Sequence, residues 1–587
     1  MNNDSKEVRL QGTPICRGVS IGKPILFLPA EETVPEFNLN DESLEAEIDR
    51  FRKAMRLSRK ELETLQKSLY TEDLHESATI LESQLQMMQD PMLTTHIEHA
   101  ILSTRKNAES VFQNQVDQYK IKFDTIKDPF FQDRFRDVQD ISRRVMGYLR
   151  AKQRLSLASI SPDSIVFAKE LTAADTAEAN NAAASALVTE YGGPASHAAI
   201  VAKSKGTPYV SSIPLEGIDP SAHSLAIVDG RTGEVILSPN LDTLRHYQHI
   251  RSQLQDHLDK LEDIKNLRPE TFDGYTVRLS ANIEMASELE SLHIHGGNGV
   301  GLFRSEFICL SQDSFPSEEE QFAIYKELVE KMRGLPIVIR TFDVGGDKCL
   351  SMQQNKETNP FLGCRAIRFL LKEKNIFKSQ LRAVLRASAF GDVSIMFPMI
   401  STLSELLEAK EIISEAQKEL KSEGKKYGYV RIGCMIEVPS AAIIADLLAK
   451  ECDFLSIGTN DLVQYALAVD RSNHEMSSLY TPTHPSVLRL IKLIVHEATH
   501  QGIPVAICGE VAADPRFTPL LLGLGVHELS VATRYLPAVK QAIRNTSIVE
   551  ASRLAEQALM LTTASDIQAL LTQEYKHNSP DDCFYNY

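Results

Sequence analysis

The chain has 587 residues, enough for several domains that each bury a core, and a formal net charge of -16. That acidic balance excludes nucleic acid or an anionic membrane surface as the expected partner, and a protein docking by charge is expected to present a basic face. Eight cysteines (Cys16, Cys309, Cys349, Cys364, Cys434, Cys452, Cys508 and Cys583) lack CxxC or finger spacing, which points to reduced thiols in a cytoplasm rather than a zinc module or disulfide framework. Met1 to Lys6 holds no apolar core and no apolar run reaches membrane-span length, so neither a signal peptide nor a membrane segment is expected.

Residues 13–28 mix glycine turns with β-branched residues, predicting a hairpin or two short strands. From Asp41 to Lys152 glycine almost disappears and apolar residues recur at helical spacing, as in Ile80, Leu81, Leu85, Met87 and Met88, then Val145, Met146 and Leu149. Short strands return at 164–168, 186–189, 225–228 and 234–237, alternating with helices. The expected organisation is therefore an α/β unit of residues 1–40 and 153–240 into which a helical bundle, 41–152, is inserted. Residues 241–268 are polar and glycine-free, predicting a long connecting helix.

From 269 to 587 eight strand-like runs alternate with helical segments: 277–283, 299–303, 337–342, 393–398, 432–436, 454–457, 504–507 and 528–531. Eight β/α units predict a TIM-type (β/α)8 barrel. A doubly wound sheet produces the same alternation, because periodicity alone does not close a barrel.

Two sets of residues carry the chemistry. His197, in Tyr191-Gly192-Gly193-Pro194-Ala195-Ser196-His197-Ala198-Ala199, stands where glycine turns give way to a helix start. The positive end of the helix dipole there disfavours imidazolium and favours a phosphate on the ring, so His197 is a candidate phosphoryl acceptor; a helix cap or surface histidine is the alternative. At the predicted barrel strand ends stand Arg304, Arg340, Glu437, Asn460 with Asp461, Arg471, and Cys508. Three arginines, two carboxylates and a thiol on one face read as an anion site with a divalent metal, since arginine presents a planar fork to phosphate or carboxylate and carboxylates suit Mg²⁺. Taken singly, each is also compatible with a surface ion pair, a helix cap or a small buried hydrophobe.

Several segments resemble the enzyme I family of the phosphoenolpyruvate:sugar phosphotransferase system over nearly the whole chain. They are Gly192 to His197, Gly301-Leu302-Phe303-Arg304-Ser305-Glu306-Phe307, Asp343-Val344-Gly345-Gly346-Asp347-Lys348, Asn359 to Arg368, Met435-Ile436-Glu437-Val438-Pro439-Ser440 and Ser456-Ile457-Gly458-Thr459-Asn460-Asp461-Leu462. The resemblance implies a multidomain α/β protein: a swivelling phosphohistidine domain, an inserted helical subdomain that binds the phosphocarrier HPr, and a phosphoenolpyruvate-binding barrel that forms a cytoplasmic homodimer. It implies that His197 takes the phosphoryl group from phosphoenolpyruvate and passes it to HPr, that Arg304, Arg340, Asn460 and Arg471 hold substrate, that Glu437 and Asp461 bind Mg²⁺, and that Cys508 protonates the enolate to pyruvate. The connecting helix and the loops near residues 160 and 240 become the expected hinges.

The chain departs from the family pattern at Ala195, where a hydroxyl or amide side chain is usual, at Lys203, and at Cys364, and it has no tryptophan. A lost hydroxyl removes a hydrogen bond worth about 1 kcal/mol, with Ser196 and Thr176 as the hydroxyls placed to compensate. Relatives that use ATP need a further nucleotide-binding domain for which the chain has no glycine-rich phosphate loop. A non-catalytic regulator of the same fold that binds phosphocarriers is the remaining alternative, favoured only by Ala195.

Overall fold

The computed structural model describes residues 7–27, 34–71, 81–82, 84–91, 93–124, 129–150, 157, 160–193, 196–310, 315–345, 359–471, 476 and 479–578. They form two compact units divided between Gln255 and Asp256. Ile80, Pro194, Ala195 and Gly346 to Lys348 lie outside the described residues.

In the first unit an eight-stranded mixed sheet runs in the order β1-β8-β7-β3-β4-β5-β6-β2, with β1 Val8–Gln11, β2 Thr13–Cys16, β3 Val19–Phe27, β4 Ser164–Ala168, β5 Ala186–Thr189, β6 Tyr209–Ser211, β7 Ala226–Asp229 and β8 Glu234–Leu237. The central strands β3 to β6 are parallel. Strand β4, Ser-Ile-Val-Phe-Ala, is buried along its whole length, as expected of a strand covered on both faces. Of the two readings of residues 13–28, two strands form rather than a hairpin: β2 pairs with β6, and β3 pairs with β4 and β7. Gly18, at φ +128, carries the chain between two strands that do not pair with each other. Strands β1 and β6 had no prediction; β1 alternates half-buried with exposed side chains at the sheet edge, and β6 is three residues long.

Between β3 and β4 the chain makes the helices Leu44–Thr71, Thr95–Thr104, Ala108–Asp124 and Pro129–Leu149. Phe51, Leu62, Ile97, Phe112, Ile141 and Val145 form their shared core, which continues into Ala173, Ala174, Ala177 and Val201 from the helices of the α/β part. Alanines on that face let the two helical layers approach closely. Arg144 is fully buried at this seam, its Nε 3.4 Å from Asp140 Oδ2 and its Nη2 3.2 Å from Glu178 Oε1, with Glu61 completing the set. The helix Leu241–Ile264 packs Tyr247 and Ile250 on Val19, Ile227 and Ile236.

In the second unit eight parallel strands close into a barrel: β9 Arg278–Ile283, β10 Val300–Arg304, β11 Ile337–Arg340, β12 Val393–Phe397, β13 Arg431–Ile436, β14 Phe454–Ile457, β15 Val505–Ile507 and β16 Glu528–Ala532, with β16 pairing back to β9. The doubly wound alternative is thereby excluded. Among the described residues no helix is long and apolar enough to cross a membrane.

Arg144→Ala removes the cation buried among Asp140, Glu178 and Glu61, and should destabilise the first unit by about 3–5 kcal/mol, read by calorimetry on the full chain; a loss below about 1 kcal/mol contradicts this account of the seam. In the second unit Asp273 accepts from the Thr271 hydroxyl at 2.6 Å, the Ile548 amide at 2.8 Å and the Ser547 hydroxyl at 3.1 Å. Those bonds, the Thr271 hydroxyl foremost, hold its carboxyl down to about 2. A carboxyl more acidic when folded stabilises above its unfolded value of about 3.9, and that contribution is lost as pH falls toward 2. Asp273→Asn should therefore flatten the acid limb of unfolding in that window, and an unchanged limb contradicts the assignment.

Candidate active site

Residues that end parallel strands share one face of a barrel, and the predicted candidates converge there. Arg304 closes β10 and Arg340 closes β11. Arg304 is half-exposed and bonds Glu284 Oε1 through Nη1 at 2.8 Å. Arg340 is buried; its Nη2 meets Glu306 Oε1 at 2.7 Å and lies 3.5 Å from Asp343 Oδ2, while its Nε has no hydrogen-bond partner among the described residues. The same Glu306 oxygen accepts from the Asp343 amide at 2.9 Å, which fixes the loop leaving β11.

Asp343 is in turn held by Arg365, whose Nη2 lies 2.9 Å from both carboxylate oxygens and 3.2 Å from Asp461 Oδ2. Asp461 stands in the first turn of the helix Thr459–Leu467, where the dipole favours a carboxylate. Arg471 Nη1 lies 3.7 Å from Asp461 Oδ1, so arginines approach this carboxylate from two sides. The Asn460 side chain bonds Glu510 twice, accepting from its amide at 3.0 Å and donating to its carboxylate at 3.3 Å.

Glu437, one residue past β13, is buried and accepts the Met399 amide at 2.7 Å. Burial, reinforced by the charges of Asp461 and Asp343, pushes its carboxyl well above the usual range, against the pull of Arg340 and Arg365. A Cβ on Gly458 would lie 2.7 Å from Glu437 Oε2, so only glycine gives that carboxylate its place beside the helix start. Asp461 Oδ1 is buried and accepts no hydrogen bond among the described residues. Two crowded carboxylates, one with an unsatisfied oxygen, form a hard-oxygen donor pair that a divalent cation suits. Among the described residues no third carboxylate, histidine or cysteine joins them as a ligand group, which leaves further positions to substrate and water.

Cys508 follows β15, buried against Leu302, Met396 and Met435. Burial raises its thiol above the ordinary value; the Ser456 hydroxyl opposes the shift, Glu437 adds to it, and Arg340 and Arg304 lower it. The thiol is thus kept protonated within reach of the arginine cluster's field.

In the first unit His197 is the first residue of the helix His197–Lys205. Ser196 caps that helix, its Oγ accepting from the Ala199 amide at 3.2 Å. Gly192 turns at φ +125, and a Cβ there would stand 3.1 Å from the Tyr209 hydroxyl. The Thr176 hydroxyl donates to Thr172 O within its own helix.

Sequence reasoning named the residues at strand ends and missed those that orient them. Glu306 and Asp343 were within the quoted motifs but had been given no role. Arg365 lies far from any strand end and reaches the site through an isolated bridge between Gly345 and Arg365. Its one signal was its place in the Asn359 to Arg368 segment.

Three models of phosphoenolpyruvate-utilising enzymes match in succession: the N-terminal domain over residues 11–134, the mobile domain over 160–233 and the phosphoenolpyruvate-binding domain over 258–548. His197 falls in the mobile segment and the arginine cluster in the phosphoenolpyruvate-binding one. Phosphoenolpyruvate-protein phosphotransferases from Listeria innocua and Bacillus subtilis are each 37% identical to this chain, over 96% and 97% of it and 98% and 100% of their own lengths. That of Haemophilus influenzae is 36% identical over 97% of this chain and 100% of its own. With the three domains in order and more than a third of all residues shared along nearly the full length, the chain belongs to the phosphoenolpyruvate-protein phosphotransferase family.

Proposed function

We propose that the chain catalyses the first step of the sugar phosphotransferase system, moving the phosphoryl group of phosphoenolpyruvate to its own His197 and then to a histidine of HPr. The observation that carries the reading is the arginine cluster on one barrel rim, with buried Cys508 beside it and a carboxylate pair fit for a cation. Arg304, Arg340 and Arg471 bind the phosphate and carboxylate of the substrate, with Asn460 assisting. Arg304 and Arg471 are half-exposed, and the unpartnered Nε of Arg340 is a free donor for an incoming anion.

A phosphoryl group in flight spreads charge over its equatorial oxygens, so fixed guanidinium groups lower the barrier while neutral imidazole attacks in line. Glu437 and Asp461 hold Mg²⁺, which supplies positive charge to substrate oxygens when bound. The leaving group is an enolate, and Cys508 gives its carbon a proton to make pyruvate. His197 lies at a helix N-terminus, where the backbone amides receive the phosphate it carries.

His197 and the arginines belong to separate units, so residues 1–40 with 153–240 act as a swivelling carrier between the barrel, 269–587, and HPr docked on the insertion, 41–152. The connecting segment 241–268 takes up the motion. The acidic surface suits a basic HPr face. The barrel is the dimerisation domain, and the protein works in the cytoplasm.

Incubation with Mg²⁺ and phosphorus-labelled phosphoenolpyruvate should place acid-labile, alkali-stable label on the chain, none on His197→Ala, and HPr should discharge it. Label that survives in His197→Ala contradicts the acceptor assignment. Gly458→Ala pushes against the Glu437 carboxylate and should raise the Mg²⁺ concentration needed for labelling by about tenfold or more; an unaltered Mg²⁺ requirement contradicts the role of Glu437.

A further inference from the structure

We propose that Ser456 is a positioning residue for Cys508, holding the sulfur by a hydrogen bond that strengthens when the thiol has given up its proton. The inference rests on the reading of Cys508 as the acid and assigns that acid its support.

Ser456 is the third residue of β14, buried, in register with Met435 of β13 and Ala506 of β15. Its Oγ donates to Cys508 Sγ at 3.4 Å. The thiol itself donates to Ile457 O at 3.6 Å, and the Cys508 amide donates to the same carbonyl at 3.2 Å. On the opposite side Asn282 Nδ2 donates to Cys508 O at 3.0 Å and to Ser530 O at 3.1 Å, and the Ser530 hydroxyl returns a bond to Asn282 Oδ1 at 2.6 Å. Cys508 is therefore pinned through its backbone from β14 on one side and from β9, beyond β16, on the other. Leu302, Met396 and Met435 form a buried hydrophobic cluster with Cys508.

That setting poses a problem at one moment of the reaction. When the enolate carbon takes the proton, the S–H bond breaks, a C–H bond forms from the enolate double-bond electrons, the enolate oxygen becomes the ketone of pyruvate, and the S–H electron pair stays on sulfur. The resulting thiolate is buried beside Leu302, Met396 and Met435, where a charge without a hydrogen bond is costly. Among the described residues the Ser456 hydroxyl is the hydrogen-bond donor that reaches Sγ. A hydrogen bond to a charged sulfur is stronger than one to the thiol, so its effect is concentrated on the transition state of protonation. Water then returns the proton to sulfur. Arg340 and Arg304 favour the thiolate through their field and Glu437 opposes it, so the contribution of Ser456 is separable only by direct substitution.

The test uses the full chain with saturating Mg²⁺. Thiolate is read as the 240 nm absorbance of the chain minus that of its Cys508→Ser variant across pH. Ser456→Ala, measured against Ser456→Ala with Cys508→Ser, should hold about tenfold less thiolate at a given pH. With HPr present its kcat for pyruvate formation should fall by about tenfold while KM for phosphoenolpyruvate changes by less than about threefold. Ser456→Thr, which keeps the hydroxyl, should restore both. Unchanged titration and kcat in Ser456→Ala, or a defect that Ser456→Thr does not relieve, overturns the proposal. Wild-type turnover by Cys508→Ser overturns it at its premise, and the titration then still tells whether the hydrogen bond itself was assigned correctly.

Discussion

The barrel rim depends on one constraint: a guanidinium cannot be buried without a counter-charge. Arg340, Asp343, Arg365 and Asp461 answer it as a continuous chain of alternating charge, from the end of β11 to the helix after β14. Arg365 is its hub, gripping Asp343 with both oxygens and reaching Asp461 with the same nitrogen. Such a chain is costly to assemble and more costly to break, because removing any member leaves its neighbours charged in a low-dielectric interior. Its return is geometric. The guanidinium groups are aimed before any substrate arrives, so little reorganisation is required when negative charge develops.

The same balance explains how the site accepts both an anion and a cation. Glu437 is crowded by Asp461 and Asp343, and its carboxylate is disfavoured without added positive charge. Arg304 and Arg471 are half open to solvent, and among the described residues each meets one carboxylate, Glu284 and Asp461. On the proposed reading, a substrate carrying phosphate and carboxylate would bring anions to the arginines, and a divalent ion would relieve the carboxylates. Neither set is self-sufficient. In the first unit the analogous device is smaller, a helix N-terminus capped by Ser196 with His197 in its first turn.

Much of this was legible in the residues. The eight barrel strands follow from short apolar runs at even spacing, and each lies within two residues of its predicted bounds. Closure was not legible, because it depends on β16 meeting β9 across the whole length of the unit. Which of a hairpin or two separate strands residues 13–28 form was not legible for a related reason: adjacency along the chain does not fix pairing, and β2 pairs with β6 instead of β3. Strand ends named Arg304 and Arg340, but nothing in the strand pattern leads to Arg365, which joins the rim by its bridge to Gly345. Ser456 likewise stood in a quoted segment without a role, and its place beside Cys508 emerges only when β14 and β15 are set side by side.

The most direct test of the account separates the anion site from the acceptor. Phosphoenolpyruvate binding, measured calorimetrically with Mg²⁺ on the His197→Ala chain so that no transfer intervenes, should match the affinity of the unmodified chain within about threefold, and adding Arg340→Met should weaken it by about a hundredfold or more. Binding lost with His197 alone, or indifferent to Arg340, would contradict a barrel-rim donor site distinct from its phosphoryl acceptor.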